Sequence, residues 1–255
     1  MRIVLIGAGR LATHLGPALS RAGHDVMQVY SRTKAAAEAL AGQVNAEAVT
    51  TLDDVVTTAD VYICAVTDAA LPTLLPTLCK GREDALFLHT AGSMPLDVFR
   101  DKVCRYGVLY PMQTFSKERQ LDFSEIPVFI EADSAETLTV VSSLANSVSC
   151  HVMPLSSEAR RHLHLSAVFA CNFANHCYAL AADVLAAHNI PFETLLPLID
   201  ETARKVHELS PREAQTGPAV RYDENVIRRQ AGMLEGLPKE IYELMSKSIH
   251  ETSKQ

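Results

Sequence analysis

Apolar residues in the first half of the chain fall into short unbroken runs, each followed by a segment whose apolar positions recur at spacings of three and four. Residues 3–6 form the first run. After the turn Gly7-Ala8-Gly9-Arg10, the positions Leu11, Leu15, Ala18 and Leu19 follow at helical spacing. The same alternation predicts strands at 25–30, 46–49, 59–66, 85–88, 104–110, 127–131 and 149–153. Helices are expected at 34–41, 52–57, from Leu71 to Leu78, and at 135–146. Runs as apolar as 59–66 suit parallel strands covered on both faces. The fold class expected is therefore an α/β, doubly wound, mostly parallel sheet of the Rossmann type. From Pro154 the pattern becomes helical only, with helices expected from Ser156 or Ser157 to about 188, then at 192–209, 223–236 and 239–251. The predicted division is a nucleotide-binding domain over 1–153 and an all-α domain over 154–255.

The interior of the first long helix, 167–187, is apolar on most sides, which requires a central position in its domain or burial in a partner subunit. About one hundred residues of helix make a thin core by themselves. A homodimer joined through the helical domains follows as the expectation.

The opening strand, turn and helix carry the first candidate chemistry. In the spacing G-x-G-x-x-A, Gly7 allows the tight turn, Gly9 lets backbone approach a pyrophosphate and Ala12 lets helix and strand pack closely. Arg10 and Leu11 then offer N–H groups at the positive end of the helix dipole. An NAD site places an acidic residue at the end of the second strand, but here the chain reads Ser31-Arg32-Thr33-Lys34. A guanidinium and small hydroxyls suit a 2′-phosphate, so NADP(H) is the cofactor expected. The plainer alternative makes Ser31 or Thr33 a helix cap and Arg32 a solvated charge. The strand 59–66 delivers Ala65, Val66 and Thr67 to the same sheet edge, bordering the ribose or nicotinamide. Asp68 reads foremost as the cap of the next helix.

Composition narrows the partners. With 255 residues and 48% hydrophobic content the chain can bury a sizeable core, and its net charge of −7 argues against nucleic acid or an acidic membrane surface. No run of about twenty apolar residues predicts a membrane span, and no leader peptide is read at the start, so a cytoplasmic location is expected. The six cysteines lack C-x-x-C spacing, and neither a metal site nor a redox pair is predicted.

Further polar residues fall on the ligand edge or on the long helix. His89 and Thr90 end the fifth strand and offer a proton donor or a substrate contact. Gln113 follows Tyr110-Pro111, a bond with either isomer open. His164, Val168, Asn172 and His176 are spaced by four. Asn172 could bond substrate or the nicotinamide carboxamide, or instead another helix. His164 is a candidate proton donor. Thr216 and Arg221, around Gly217-Pro218, are candidate contacts for an anionic substrate, although Arg221 could also pair with Asp223.

Ile6-Gly7-Ala8-Gly9-Arg10-Leu11-Ala12, His89-Thr90-Ala91-Gly92-Ser93, Tyr110-Pro111-Met112-Gln113-Thr114-Phe115, Asn172 and Thr216-Gly217-Pro218 together resemble the bacterial Rossmann-like proteins that carry the domain of unknown function 2520. That family is labelled as NADP oxidoreductases, some of them deazaflavin-dependent. It is more distantly similar to pyrroline-5-carboxylate reductase, ketopantoate reductase and the 6-phosphogluconate and β-hydroxyacid dehydrogenases. The resemblance implies an active site in a cleft between a Rossmann domain and a dimerising helical domain. The hydroxyacid and ketopantoate enzymes place a lysine four residues before the helix asparagine, where this chain has Val168. His164 or His89 is the replacement to consider. The expected activity is hydride transfer to or from a small C=O or C=N substrate, with a non-catalytic NADP-binding sensor or assembly protein as the alternative.

Overall fold

The computed structural model describes residues 1–253. Eight strands form one sheet in the order β3-β2-β1-β4-β5-β6-β7-β8. They are β1 Arg2–Ile6, β2 Asp25–Tyr30, β3 Glu47–Val49, β4 Val61–Cys64, β5 Leu86–His89, β6 Arg105–Pro111, β7 Val128–Ala132 and β8 Val152–Pro154. Every pairing is parallel except β6 with β7. Strand order reverses between β1 and β4, and the crevice beyond their carboxyl ends is where open α/β sheets bind ligands.

Helices α1 (Ala12–Arg21), α2 (Lys34–Val44) and α4 (Ala135–Asn146) cover one face, burying Leu15, Leu40 and Leu144 against Ile3, Leu5 and Val128. Helix α3 (Leu71–Leu78) covers the other with Leu71, Leu75 and Leu78 against Val4, Ile6 and Tyr62. The central strands β1, β4 and β5 are buried on both faces, as their unbroken apolar runs require.

The expected helix at 52–57 is absent. Its backbone is satisfied by distant side chains instead. Arg82 donates to the carbonyls of Val55 and Val56, Tyr62 Oη donates to Val56, and Gln28 Oε1 accepts from the Val56 N–H. These bonds hold an irregular segment in place of the helix expected there.

The long helix begins as expected. Ser156 caps α5 (Ser157–Ala167) by accepting from the Ala159 N–H at 3.3 Å. The segment Val168–Phe173 is then wound as a π-helix before α6 (Ala174–Ala186), so the predicted single α-helix is interrupted. Arg160 fixes α5 to the sheet. Its guanidinium is fully buried, pairs with Glu131 on β7 at 2.6 Å, and donates to the Met94 carbonyl and to Ser157 Oγ. Glu131 also accepts from the backbone N–H and hydroxyl of Ser157, while Ser157 Oγ accepts from the Leu96 N–H.

The chain divides into two compact units, Met1–Cys171 and Asn172–Gln255. In the second, the helices after α6 are α7 (Leu196–Glu208), α8 (Pro218–Arg221), α9 (Glu224–Ala231) and α10 (Gly236–Thr252). Helix α8 was not expected. It starts at Gly217, whose φ of +105° suits glycine, and Tyr222 at its end stacks on His250 of α10 at 4.3 Å. Among the described residues of this unit only Ala219, Ala231 and Ser246 are buried.

Replacing Glu131 with Gln removes the counter-charge from a guanidinium that has no access to water. The loss expected is about 3–5 kcal/mol, read as a lower urea midpoint than that of the wild type.

Candidate active site

The turn after β1 is built around one close approach. Gly7 has a φ of +120°, and a Cβ placed on it would lie 2.3 Å from the Ala65 carbonyl oxygen, so no other residue fits between β1 and the end of β4. A Cβ on Gly9 would meet no protein atom within 4 Å, so the backbone there is open to a ligand. Helix α1 follows with Leu11 at its N-cap position and no side-chain cap; the Thr13 and His14 N–H groups bond the Gly9 and Leu11 carbonyls, which leaves those of Leu11 and Ala12 for an anion.

A cavity of about 310 Å³ joins Gly7 and Gly9 to Ser31 and Arg32 after β2 and to Ala65, Val66 and Thr67 after β4. Seven of the ten predicted cofactor residues therefore share one site. Arg10, Leu11 and Ala12 do not line it. Ala12 is buried against the sheet, as its proposed packing role requires, while Arg10 is exposed. Ser31 Oγ accepts from the Thr33 N–H at 3.2 Å, and neither side chain caps α2. Asp68 does not cap α3 either. Its carboxylate accepts from the Ser93 hydroxyl, tying the loop after β4 to the loop after β5.

The histidines have different surroundings. His89, at the end of β5, is fully buried. Its Nδ1 accepts from the Ala91 N–H at 3.2 Å, and its Nε2 has no partner. Burial, assisted by the charge of Arg160, pushes its pKa down to about 3, so the ring is neutral at physiological pH and has no path to a substrate. Thr90 is also buried, its hydroxyl 3.4 Å from the Cys64 carbonyl. His164, one turn beyond Arg160, is half-buried, and its Nδ1 lies 3.0 Å from Tyr110 Oη at the end of β6. Gly92 packs against the ring so closely that a Cβ there would be 2.5 Å from Nδ1. Sequence reasoning missed this grouping of Tyr110, Gly92 and His164. The closest signal was that Tyr110 and Gly92 both follow apolar strands onto the ligand edge.

Of the remaining predicted residues, Gln113 is exposed, with its Oε1 accepting from the Thr114 N–H, and the structure has no cis peptide bond at Tyr110-Pro111 or elsewhere among the described residues. Asn172 is exposed in the π-helical segment. Thr216 and Arg221 are exposed in the helical unit. Asp223 caps α9 through the Val226 N–H, and Arg221 forms no ion pair among the described residues.

A Rossmann sheet with an open glycine turn, carrying a helical C-terminal region, defines a nucleotide-binding class of protein. A family model for a Rossmann-like domain matches residues 1–111, and the model for the domain of unknown function DUF2520 matches residues 126–249. The crystal structure of a "putative NADP oxidoreductase" from Bacteroides fragilis is 55% identical over 98% of both chains, with a TM-score of 0.94. The chain belongs to this family of Rossmann-like proteins with a DUF2520 domain. An imine reductase from Myxococcus stipitatus in complex with NADP+ is similar in fold at 17% identity, covering 100% of this chain and 93% of that one with a TM-score of 0.70. A 1-pyrroline-5-carboxylate reductase from Streptococcus pyogenes is similar at 14% identity, covering 100% and 98% with a TM-score of 0.66. No curated protein matches the chain. Among the described residues no helix is long and apolar enough to cross a membrane.

Below pH 6.5 the unfolded chain protonates His89 while the native chain does not, down to about pH 3. The contribution of His89 is therefore complete above pH 6.5 and is lost as pH falls, by up to about 1.4 kcal/mol per pH unit. In urea unfolding across this range, His89→Gln should flatten the acid-side slope relative to the wild type.

Proposed function

We propose that the chain is an NADP(H)-dependent oxidoreductase that transfers hydride to or from a small C=O or C=N substrate. The observation that carries this reading is the single cavity shared by Gly7, Gly9, Arg32 and the Ala65–Thr67 turn. Arg32 stands where a 2′-phosphate would meet a guanidinium, with no carboxylate at that strand end to repel it. The "putative NADP oxidoreductase" at 55% identity supports the same coenzyme. When bound, the coenzyme supplies the hydride. The residues of the chain bind and orient it, and they supply a proton to the reacting heteroatom. We assign that proton to His164 rather than His89, because His89 is sealed and neutral while His164 is partly open to solvent. Thr90, Gln113, Asn172, Thr216 and Arg221 remain the proposed substrate contacts.

The helical part is proposed to complete a homodimer. Its own side chains bury almost nothing, and Leu196, Leu198, Val206, Leu237 and Leu244 are each at least 44% exposed. Such surface on successive helices requires a cover, and a second copy supplies an identical apolar face. The reduced, unpaired cysteines fit a cytoplasmic protein. The alternative reading, a nucleotide sensor without turnover, draws on Val168 standing where related dehydrogenases have lysine.

Calorimetry with each coenzyme should show NADPH bound more tightly than NADH. Arg32→Ala should weaken NADPH by about tenfold or more while leaving NADH unchanged. Gly9→Ala should fold normally and bind neither. NADPH oxidation against ketoacids, aldehydes and imines then separates the readings, since tight binding with no turnover across the panel favours the sensor. Light scattering of the purified chain should give twice the monomer mass, and Leu198→Asp with Leu244→Asp should shift it toward monomer.

A further inference from the structure

The His164 ring is held on two sides. The Tyr110 hydroxyl is 3.0 Å from Nδ1, the two rings meet edge to face at 74°, and Gly92 leaves the space that the imidazole fills. Tyr110 is itself fixed, buried at the end of β6 and in ring contact with Phe129 of β7. Helix α5, which carries His164, is pinned one turn earlier by the Arg160–Glu131 pair. Among the described residues the hydrogen bond of the His164 ring is the one at Nδ1, and none occupies Nε2. One nitrogen is anchored and the other is available.

We propose that Tyr110 is the positioning residue for His164, holding Nδ1 so that Nε2 is the atom that hands a proton to the substrate. The proposal deepens the oxidoreductase reading and rests on it. A phenol suits this task because its oxygen accepts from Nδ1–H whether or not Nε2 carries a proton, so the contact survives both charge states of the ring. In the forward direction, the Nε2–H bond of the imidazolium breaks as the substrate carbon gains hydride, and an O–H or N–H bond forms. The imidazole is left neutral with Nδ1–H donating to the Tyr110 oxygen, and solvent returns a proton to Nε2. Burial raises the pKa of the Tyr110 hydroxyl, against the opposing charge of Arg160, and so keeps the phenol protonated between turnovers. The substrate class indicated is one that must take up a proton: a ketone, an aldehyde or a neutral imine. An iminium ion would have no use for the pair.

The test uses the full-length protein with NADPH bound, labelled with ¹⁵N at histidine, and His164→Gln to identify the His164 signals. At alkaline pH the wild type should show His164 with Nδ1 protonated and Nε2 bare. Tyr110→Phe should give mixed tautomers and, on any carbonyl turned over by the wild type, a kcat lower by about 10–100-fold, with the KM for NADPH unchanged and the pH profile displaced. Gly92→Ala, which keeps the phenol but fills the ring's space, should change the tautomer and kcat in the same direction. Matching thermal midpoints and NADPH affinities show that each variant is folded. An unchanged tautomer, kcat and pH profile in Tyr110→Phe overturn the proposal, even where His164→Gln abolishes turnover and so upholds the oxidoreductase reading. No turnover by the wild type across the panel, with the tautomer still sensitive to Tyr110, removes the oxidoreductase reading and proton delivery with it.

Discussion

The buried ion pair between Arg160 and Glu131 is the constraint on which the rest of the Met1–Cys171 unit depends. A guanidinium removed from water is tolerated when its charge is balanced and most of its N–H groups are bonded, and in Arg160 Nε alone has no partner. Here Glu131 supplies the charge, while the Met94 carbonyl and the Ser157 hydroxyl take further bonds. Because those partners come from β7, from the loop after β5 and from the first turn of α5, satisfying one side chain fixes three segments at once. The arrangement adds little net stability compared with an apolar core. What it adds is a single permitted position for the helix that presents His164.

The glycines act by letting backbone or ring come closer than a side chain would allow. Gly7 brings the first turn against the Ala65 carbonyl, and Gly92 brings the loop after β5 against the His164 ring. Gly9 differs, because it faces open space rather than another part of the protein. The nucleotide cavity and the histidine are thus both products of close approach, and both lie beyond the carboxyl ends of the strands where the βαβ winding places them.

The sheet was legible in the sequence because strands buried on both faces are apolar without interruption, and the glycine spacing and Ser31-Arg32 could be read from local context. What escaped were features decided by distant atoms. The 52–57 segment was expected to be a short helix, but Arg82, Gln28 and Tyr62 satisfy its backbone in another form. His89 looked like an edge histidine, yet the loop that follows closes over it and leaves it sealed. Counting by fours along the long helix assumed 3.6 residues per turn throughout, which the π-helical segment at Val168–Phe173 does not keep. Tyr110 and His164 are 54 positions apart, and no periodicity could announce that they share a hydrogen bond.

The approach of Gly7 to Ala65 ties the turns after β1 and β4 into one wall at the centre of the sheet. A molecule seated against that wall touches both halves of the winding, so pulling the central strands apart also means releasing it. Occupancy and global unfolding then draw on the same free energy, worth about 2.7 kcal/mol when the ligand is present at a hundred times its dissociation constant. Heat resistance therefore becomes a gauge of coenzyme choice that works before any reaction partner has been found.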